Sequence, residues 1–410
     1  SDHANIVGKH LFGISGAMAP GVDQIDNYLA SHFVESIIFA AVPPSIEASI
    51  VNQSFVFPSQ DANAEKRFDN YAATHNVLFV SGVGNGGTVL PPGTAYNGIG
   101  VGVSDGSSST GPTVNGRCKP DIVAPGSATS YAAPYVSGAA ALLLQAARNG
   151  AEGAVTNAAA DIRTLKALLL NGAVKPAGWT NHPAHPLDMR HGSGVLNVLN
   201  SWKQLAFGKQ PFVEAASAAP GSVHPPGSET IDRSPVGWDF NTITNLRSED
   251  RIHHYYFVVP TNSTGHRFTA TLTWNRASGS NGINNLDLFL YDYFSGSPIA
   301  MSTSLVDNVE HIHVPNLPPG RYNLQVWKSA DFQTVTETYA LAYEAVSSSL
   351  EIHRTQGGME LSWPVYPHGF TLESAAFITS PTWNPVVGSP ELSGERFRLP
   401  LPTGASGEYY

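Results

Sequence analysis

The stretch APGSATSYAAPYVSGAAALLLQAA (124–147) holds a serine, Ser130, where a helix must begin. Ala132, Ala133, Val136, Ala139, Ala140 and Leu143 recur at helical spacing. Pro134 would break a helix interior but is tolerated in the first turn, where backbone N–H groups have no intrahelical partner. The helix is therefore expected to start near Ser130, with Pro134 in its first turn. A hydroxyl there lies beside free N–H groups and the positive end of the helix dipole. That setting stabilises the oxyanion of acyl transfer. Serine is also a preferred N-cap, so this stretch alone leaves two readings, nucleophile or cap.

Three other stretches carry residues of matching chemistry. VLFVSGVGNGG (77–87) is an apolar run that ends in Gly84 and Asn85. Asn85 is either a neutral hydrogen-bond donor or half of an Asn-Gly turn. DHANIVGK (2–9) supplies His3, and His10 follows; either imidazole has the chemistry of a general base, or is a surface residue. SIVNQSF (49–55) contains the hydroxyl of Ser54.

Together these stretches resemble subtilisin-like serine proteases. ATSYAAPYVSGAAALL (128–143) is similar to the family's nucleophile motif at Thr129, Ser130, Ala132, Pro134, Val136 and Gly138. Ala128, Tyr131 and Tyr135 stand where the family has Gly, Met and His. KPDIVAPG (119–126) resembles the segment leading into that motif, with a shorter loop before the serine. The resemblance implies Ser130 as nucleophile, Asn85 as oxyanion donor and His3, with GAMAPG (16–21) downstream, as general base. It implies that SIVNQSF pairs with bound peptide, so Ser54 and Gly84 are expected to bind substrate. Phe55 and Val56 replace the family's glycine there. The family's catalytic Asp precedes the histidine, and Asp2 adjoins His3 too closely to serve. The chain is thus expected to be a fragment whose acid lies upstream of residue 1, and to be inactive if it acts alone. In the sedolisin-like group an Asp holds the position of Asn85.

The elements that must position these residues follow from periodicity. GIGVGV (98–103) and DIVAPG (121–126) read as buried parallel strands like VLFVSGV; AEKRFDNYAATH (64–75) and DIRTLKALLLNG (161–172, ending at Gly172) read as helices. Residues 1–207, where GSGVLNV (192–198) also fits the resemblance, are expected to be an α/β subtilisin-like peptidase domain, a parallel sheet with helices on both faces. Residues 208–235 are rich in Pro, Gly, Ser and Ala and read as a linker. From 236 to 346 the period changes to two. RFTATLTW places Phe268, Ala270, Leu272 and Trp274 on one face and threonines on the other. This predicts an all-β sandwich, and it resembles the jelly-roll domain that follows the catalytic domain in some secreted members of the family. Residues 347–410 are expected to form a small, incomplete immunoglobulin- or fibronectin-like module.

Composition bounds the rest. The 410 residues carry a net charge of −10 and only 13% charged residues, with no long basic block. This argues against nucleic acid or an anionic membrane surface as partner. No run reaches the roughly 20 apolar residues of a membrane helix. The lone Cys118 excludes an intrachain disulfide. The expectation is a monomeric serine endopeptidase acting on polypeptides, secreted or at the cell surface of a bacterium. Its chemistry needs no cofactor or metal. Asp287, Asp307 and Glu310 are oxygen donors of the type calcium takes, without an assigned site. The alternative is a catalytically degenerate secreted binding or adhesion protein that presents its β-modules.

Overall fold

The computed structural model describes residues 2–151, 157–214, 232–247, 249–260, 266–329, 333–347, 350–355, 358–364, 372–375, 382–386, 388–393 and 396–401. Helix α1 (Asp2–Phe12) opens the chain, and α2 (Ala30–His32) runs into a π-helical turn, Phe33–Ile38. Four strands follow: β1 (Ile50–Gln53), β2 (Leu78–Gly82), β3 (Ile99–Val103) and β4 (Ile122–Ala124). They pair in that order, all parallel. Strands β2, β3 and β4 are buried along their whole length, which explains their uninterrupted apolar sequences.

Helix α3 (Ala62–His75) crosses from β1 to β2. The Asp61 carboxylate accepts from the Ala64 N–H at 2.9 Å and caps it; Asn76, left-handed at φ 52°, ends it. Helix α4 (Thr129–Arg148) packs its small-residue face on the sheet, with Ala132, Ala133, Val136, Ala139, Ala140 and Leu143 wholly buried. Helix α5 (Ile162–Asn171) is capped by Asp161 and ends at Gly172, as the sequence predicts; α6 (Val198–Phe207) closes this part. Beneath the sheet, Asp121 is paired with Lys119 and Lys166 and accepts from the Gly100 N–H at 2.6 Å. Burial opposes the Asp121 charge, but the two lysines outweigh it and hold the carboxyl below its ordinary value.

Two antiparallel sheets follow. One is ordered β10 (Pro298–Ser302), β9 (Leu286–Asp292), β12 (Gly320–Lys328), β7 (Ile252–Val259), β5 (Val213–Glu214). The other is ordered β11 (Val309–Leu317), β8 (His266–Trp274), β13 (Thr336–Ser347), β6 (Val236–Thr244). Phe257, Phe268, Leu272, Leu288, Leu324 and Tyr343 form their shared core. Strand β5 and the bridges Lys209–Trp238 and Arg233–Phe257 tie both flanks of the predicted linker to these sheets; its centre, 215–231, lies outside the described residues. Strands β14 (Glu351–Thr355), β15 (Gly358–Pro364), β18 (Glu391–Ser393) and β19 (Arg396–Pro400) form a further sheet, and β16 (Glu373–Ser374) pairs β17 (Asn384–Pro385). Much of the remaining C-terminal module, including Phe370 and Thr371 of its FTLESA stretch, lies outside the described residues.

The threonine face of β8 is not solvated. Thr269, Thr271 and Thr273 are as buried as the apolar face, because the sheet lies on α5. Thr271 donates to the Asn171 side chain at 3.0 Å and Thr273 to the Arg163 carbonyl at 2.9 Å. Arg276 ion-pairs with the fully buried Asp69 at 2.6 Å, and its N–H donates to Asn97 Oδ1 at 2.7 Å. The polar half of an alternating strand thus serves as an interface between layers.

Candidate active site

Three of the residues singled out by the sequence follow the carboxyl ends of parallel strands: Ser54 after β1, Asn85 after β2, and Ser130 after β4 through the turn 125–128. Loops at this end of a parallel sheet are where open α/β folds bind ligands. Gly82 lets β2 approach α4, since a Cβ there would lie 2.8 Å from Thr129 Oγ1. Gly84 sits at φ +108°, and a Cβ on it would meet Ser109 Oγ at 2.7 Å, so only glycine makes this turn.

Helix α4 starts within one residue of the expected position, but two details differ. Its N-cap is Ala128, in extended conformation and without a side-chain cap; Ser130 is the second helical residue. The cap reading of Ser130 is therefore corrected: its Oγ makes only a long 3.4 Å contact, to the Ser54 carbonyl. Pro134 is the sixth helical residue, not part of the first turn. Its missing N–H is the one that would have bonded the Ser130 carbonyl. Ser54 Oγ takes that place and donates to the Ser130 carbonyl at 2.9 Å. Ser54 is held in turn by Asn52 Nδ2 at 3.0 Å, and Asn52 Oδ1 accepts from Ser137 Oγ at 3.0 Å.

The Asn85 amide has one possible orientation. Its Oδ1 accepts from the Thr129 N–H at 2.8 Å and from Thr129 Oγ1 at 3.0 Å. A backbone N–H can only donate, so the atom facing it must be oxygen. The Nδ2 donors are left on the opposite side, without a partner among the described residues. At the start of α4, the N–H groups of Tyr131 and Ala132 bond the Ala128 carbonyl, and that of Thr129 is taken by Asn85. The Ser130 N–H has no acceptor among the described residues. Asn85 Nδ2 and the Ser130 N–H are thus two donors without a partner among the described residues, and Ser130 carries an incompletely bonded hydroxyl at the positive end of a 20-residue helix.

His3 is exposed on the first turn of α1, with its ring centroid 5.9 Å from that of Tyr131. It is brought to the start of α4, yet no hydrogen bond joins it to Ser130 or to a carboxylate among the described residues. The rival His10 lies two turns further along α1, 5.8 Å from the Tyr131 ring and 5.1 Å from that of Tyr135; its Nδ1 is 2.9 Å from the Tyr135 hydroxyl. Thr129, Asn52, Ser137, Tyr131 and Tyr135 escaped the sequence reading as contributors. Thr129 and Ser137 are polar positions within the quoted helix stretch, a signal that was available.

Two of the three carboxylates considered for calcium already accept hydrogen bonds from the protein. Asp307 accepts from the Cys118 N–H and Ser304 Oγ, both at 2.8 Å, and Glu310 from the Ser304 N–H at 2.7 Å and the Ser302 hydroxyl. Burial pushes both carboxyls above their ordinary values, and Asp287 to about 6. Among the described residues no cluster of three or more His, Cys, Asp or Glu is arranged to hold a metal. Among the same residues, no helix is long and apolar enough to cross a membrane.

Residues 24–194 match the model of the subtilase family; the match includes Ser54, Gly84, Asn85 and Ser130 and begins after His3. Pyrolysin of Pyrococcus furiosus is 38% identical over 117 residues, which cover 24% of this chain and 8% of pyrolysin. The structure of tripeptidyl peptidase 2 aligns over 75% of this chain and 35% of its own, at 12% identity and a TM-score of 0.32. A protease from Pseudoalteromonas arctica aligns over 43% of this chain and 58% of its own, at 18% identity and a TM-score of 0.31. Residues 24–194, with their parallel sheet and the stretches around Asn85 and Ser130, are thus similar to the subtilase family.

Proposed function

We propose that this chain is part of a serine endopeptidase that hydrolyses peptide bonds through an acyl-enzyme on Ser130. The observation that carries the reading is the fixed Asn85 amide. With Oδ1 locked on Thr129, the Nδ2 donor and the Ser130 N–H are both free for the oxygen of a carbonyl attacked by Ser130 Oγ. The Ser130 hydroxyl attacks the scissile carbonyl, and His3 takes its proton and returns it to the leaving amine. The two donors stabilise the tetrahedral oxyanion. Ser54 and Gly84, on the flanking loops, line the substrate's path, and β1, an edge strand, offers its backbone to an extended peptide. The substrate is a polypeptide, no metal or cofactor takes part, and the setting is outside the cell or at its surface.

One observation favours a second reading, a binding protein on a degenerate peptidase scaffold: no carboxylate orients His3 among the described residues, and imidazole lacking that partner is a poor base. Labelling of the full-length protein with a serine-directed fluorophosphonate separates the two. Label on the wild type that disappears in Ser130→Ala supports the peptidase. Folded protein without label, or label retained by Ser130→Ala, supports the binding protein.

A further inference from the structure

Helix α1 carries His3 but has no buried residue of its own. It packs along α4 through half-buried residues such as Val7, Leu11 and Phe12. The Met18 and Ala19 N–H groups bond the carbonyls of His10 and Leu11, at 3.1 and 2.9 Å. Gly138 lets that segment close on α4, since a Cβ there would lie 2.6 Å from the Met18 Cβ. Along this contact with α4, four rings form a ladder. His3 and His10 are seven residues apart, nearly two turns, so they share one face of α1. Tyr131 and Tyr135 are four apart and share one face of α4. The rings alternate: His3 on Tyr131 at 5.9 Å, Tyr131 on His10 at 5.8 Å, His10 on Tyr135 at 5.1 Å. Within this ladder the one hydrogen bond is His10 Nδ1 to the Tyr135 hydroxyl, 2.9 Å.

We propose that Tyr135 is a positioning residue: through its bond to His10 it sets where α1 lies on α4, and so where the His3 imidazole stands relative to Ser130. A ring contact constrains distance but leaves the helix free to slide along its axis. A hydrogen bond has a preferred length and angle, so it fixes the register of the two helices. Because His3 has no polar partner among the described residues, this register and the Tyr131 ring are what place it. Tyr131 and Tyr135 are two of the positions where the chain departs from the motif it resembles, so this device belongs to this chain. The inference rests on His3 acting as the base, but the placement itself is measurable without activity.

The test uses the full-length protein and three variants: Tyr135→Phe, which keeps the ring and removes the hydroxyl; His10→Gln, which can still bond it; and His10→Ala. The His3 ring-proton resonances, shifted by the Tyr131 ring in the wild type, are expected to move towards free-imidazole positions in Tyr135→Phe and His10→Ala and to stay in His10→Gln. Fluorophosphonate labelling of Ser130 is expected to fall about 10- to 100-fold in the first two, the scale of a misplacement near 1 Å, and to be retained in His10→Gln. Unchanged His3 resonances in Tyr135→Phe overturn the proposal, whatever the labelling. Absence of label on the wild type counts against the peptidase reading alone, and the His3 resonances still decide the placement.

Discussion

Ser54 Oγ donates to the Ser130 carbonyl at 2.9 Å, the acceptor that Pro134 cannot bond. The loop after β1 and the helix after β4 are joined at the residue that carries the candidate nucleophile. The proline opens the helix ladder by one bond, and a residue distant in sequence closes it. The cost of the open carbonyl is thereby avoided, and the position of Ser130 becomes tied to the loop after β1.

Ser54→Ala is expected to destabilise the fold by about 1–2 kcal/mol, because it leaves a part-buried carbonyl unpaired. In a Pro134→Ala background the backbone N–H gained by the substitution recovers that carbonyl, so the same change should cost less. Urea unfolding of the four proteins of this cycle measures the coupling. Equal costs in both backgrounds would show that Ser54 does not stand in for the missing N–H.

Asn85→Asp keeps an oxygen for the Thr129 N–H but removes the Nδ2 donor. Hydrolysis of a peptide ester by the full-length protein should fall by roughly 10²–10³, the range found for such a donor in a subtilisin, with stability little changed. A matching loss in Thr129→Val, which removes one of the two contacts that orient the amide, would come from misorientation and should be smaller.

Arg276→Ala strands the wholly buried Asp69. Burial holds the Asp69 carboxyl above its ordinary value, and Arg276 is the main opposing influence. Removing one partner of such a pair is expected to cost about 3–5 kcal/mol. Because Arg276 belongs to the β-sandwich and Asp69 to α3, loss of this pair should loosen the contact between the two. Amide exchange in α3 and in the segment after β8 would report it.

Glu337 gives a pH dependence of definite sign. Burial raises its carboxyl from 4.5 to about 7, despite hydrogen bonds from Asn284 and the Thr338 N–H. The folded state holds this proton more tightly than the unfolded chain does. Stability is therefore present below the ordinary carboxyl value and is lost as pH rises towards 7, by up to about 3 kcal/mol. Glu337→Gln should flatten unfolding free energy across that window and be more stable than wild type at pH 8.

What the sequence determined by itself is local and periodic. Continuous apolar runs defined β2, β3 and β4, since a strand covered on both faces needs no polar alternation. Small residues at helical spacing defined α4, and Ser54, Asn85 and Ser130 were singled out by the motifs their stretches resemble. The tertiary structure decided what depends on partners distant in the chain. It turned Ser130 from a possible cap into an open hydroxyl, because the chain before α4 places Ala128 at the cap. It oriented Asn85 through Thr129 and gave Ser54 its acceptor. It buried the threonine face of β8 against α5, where a period of two reads as a wet surface. It also paired His10 with Tyr135, residues 125 apart in the chain. A hydrogen bond between such residues leaves no periodic trace in either segment, so only the folded chain reveals it.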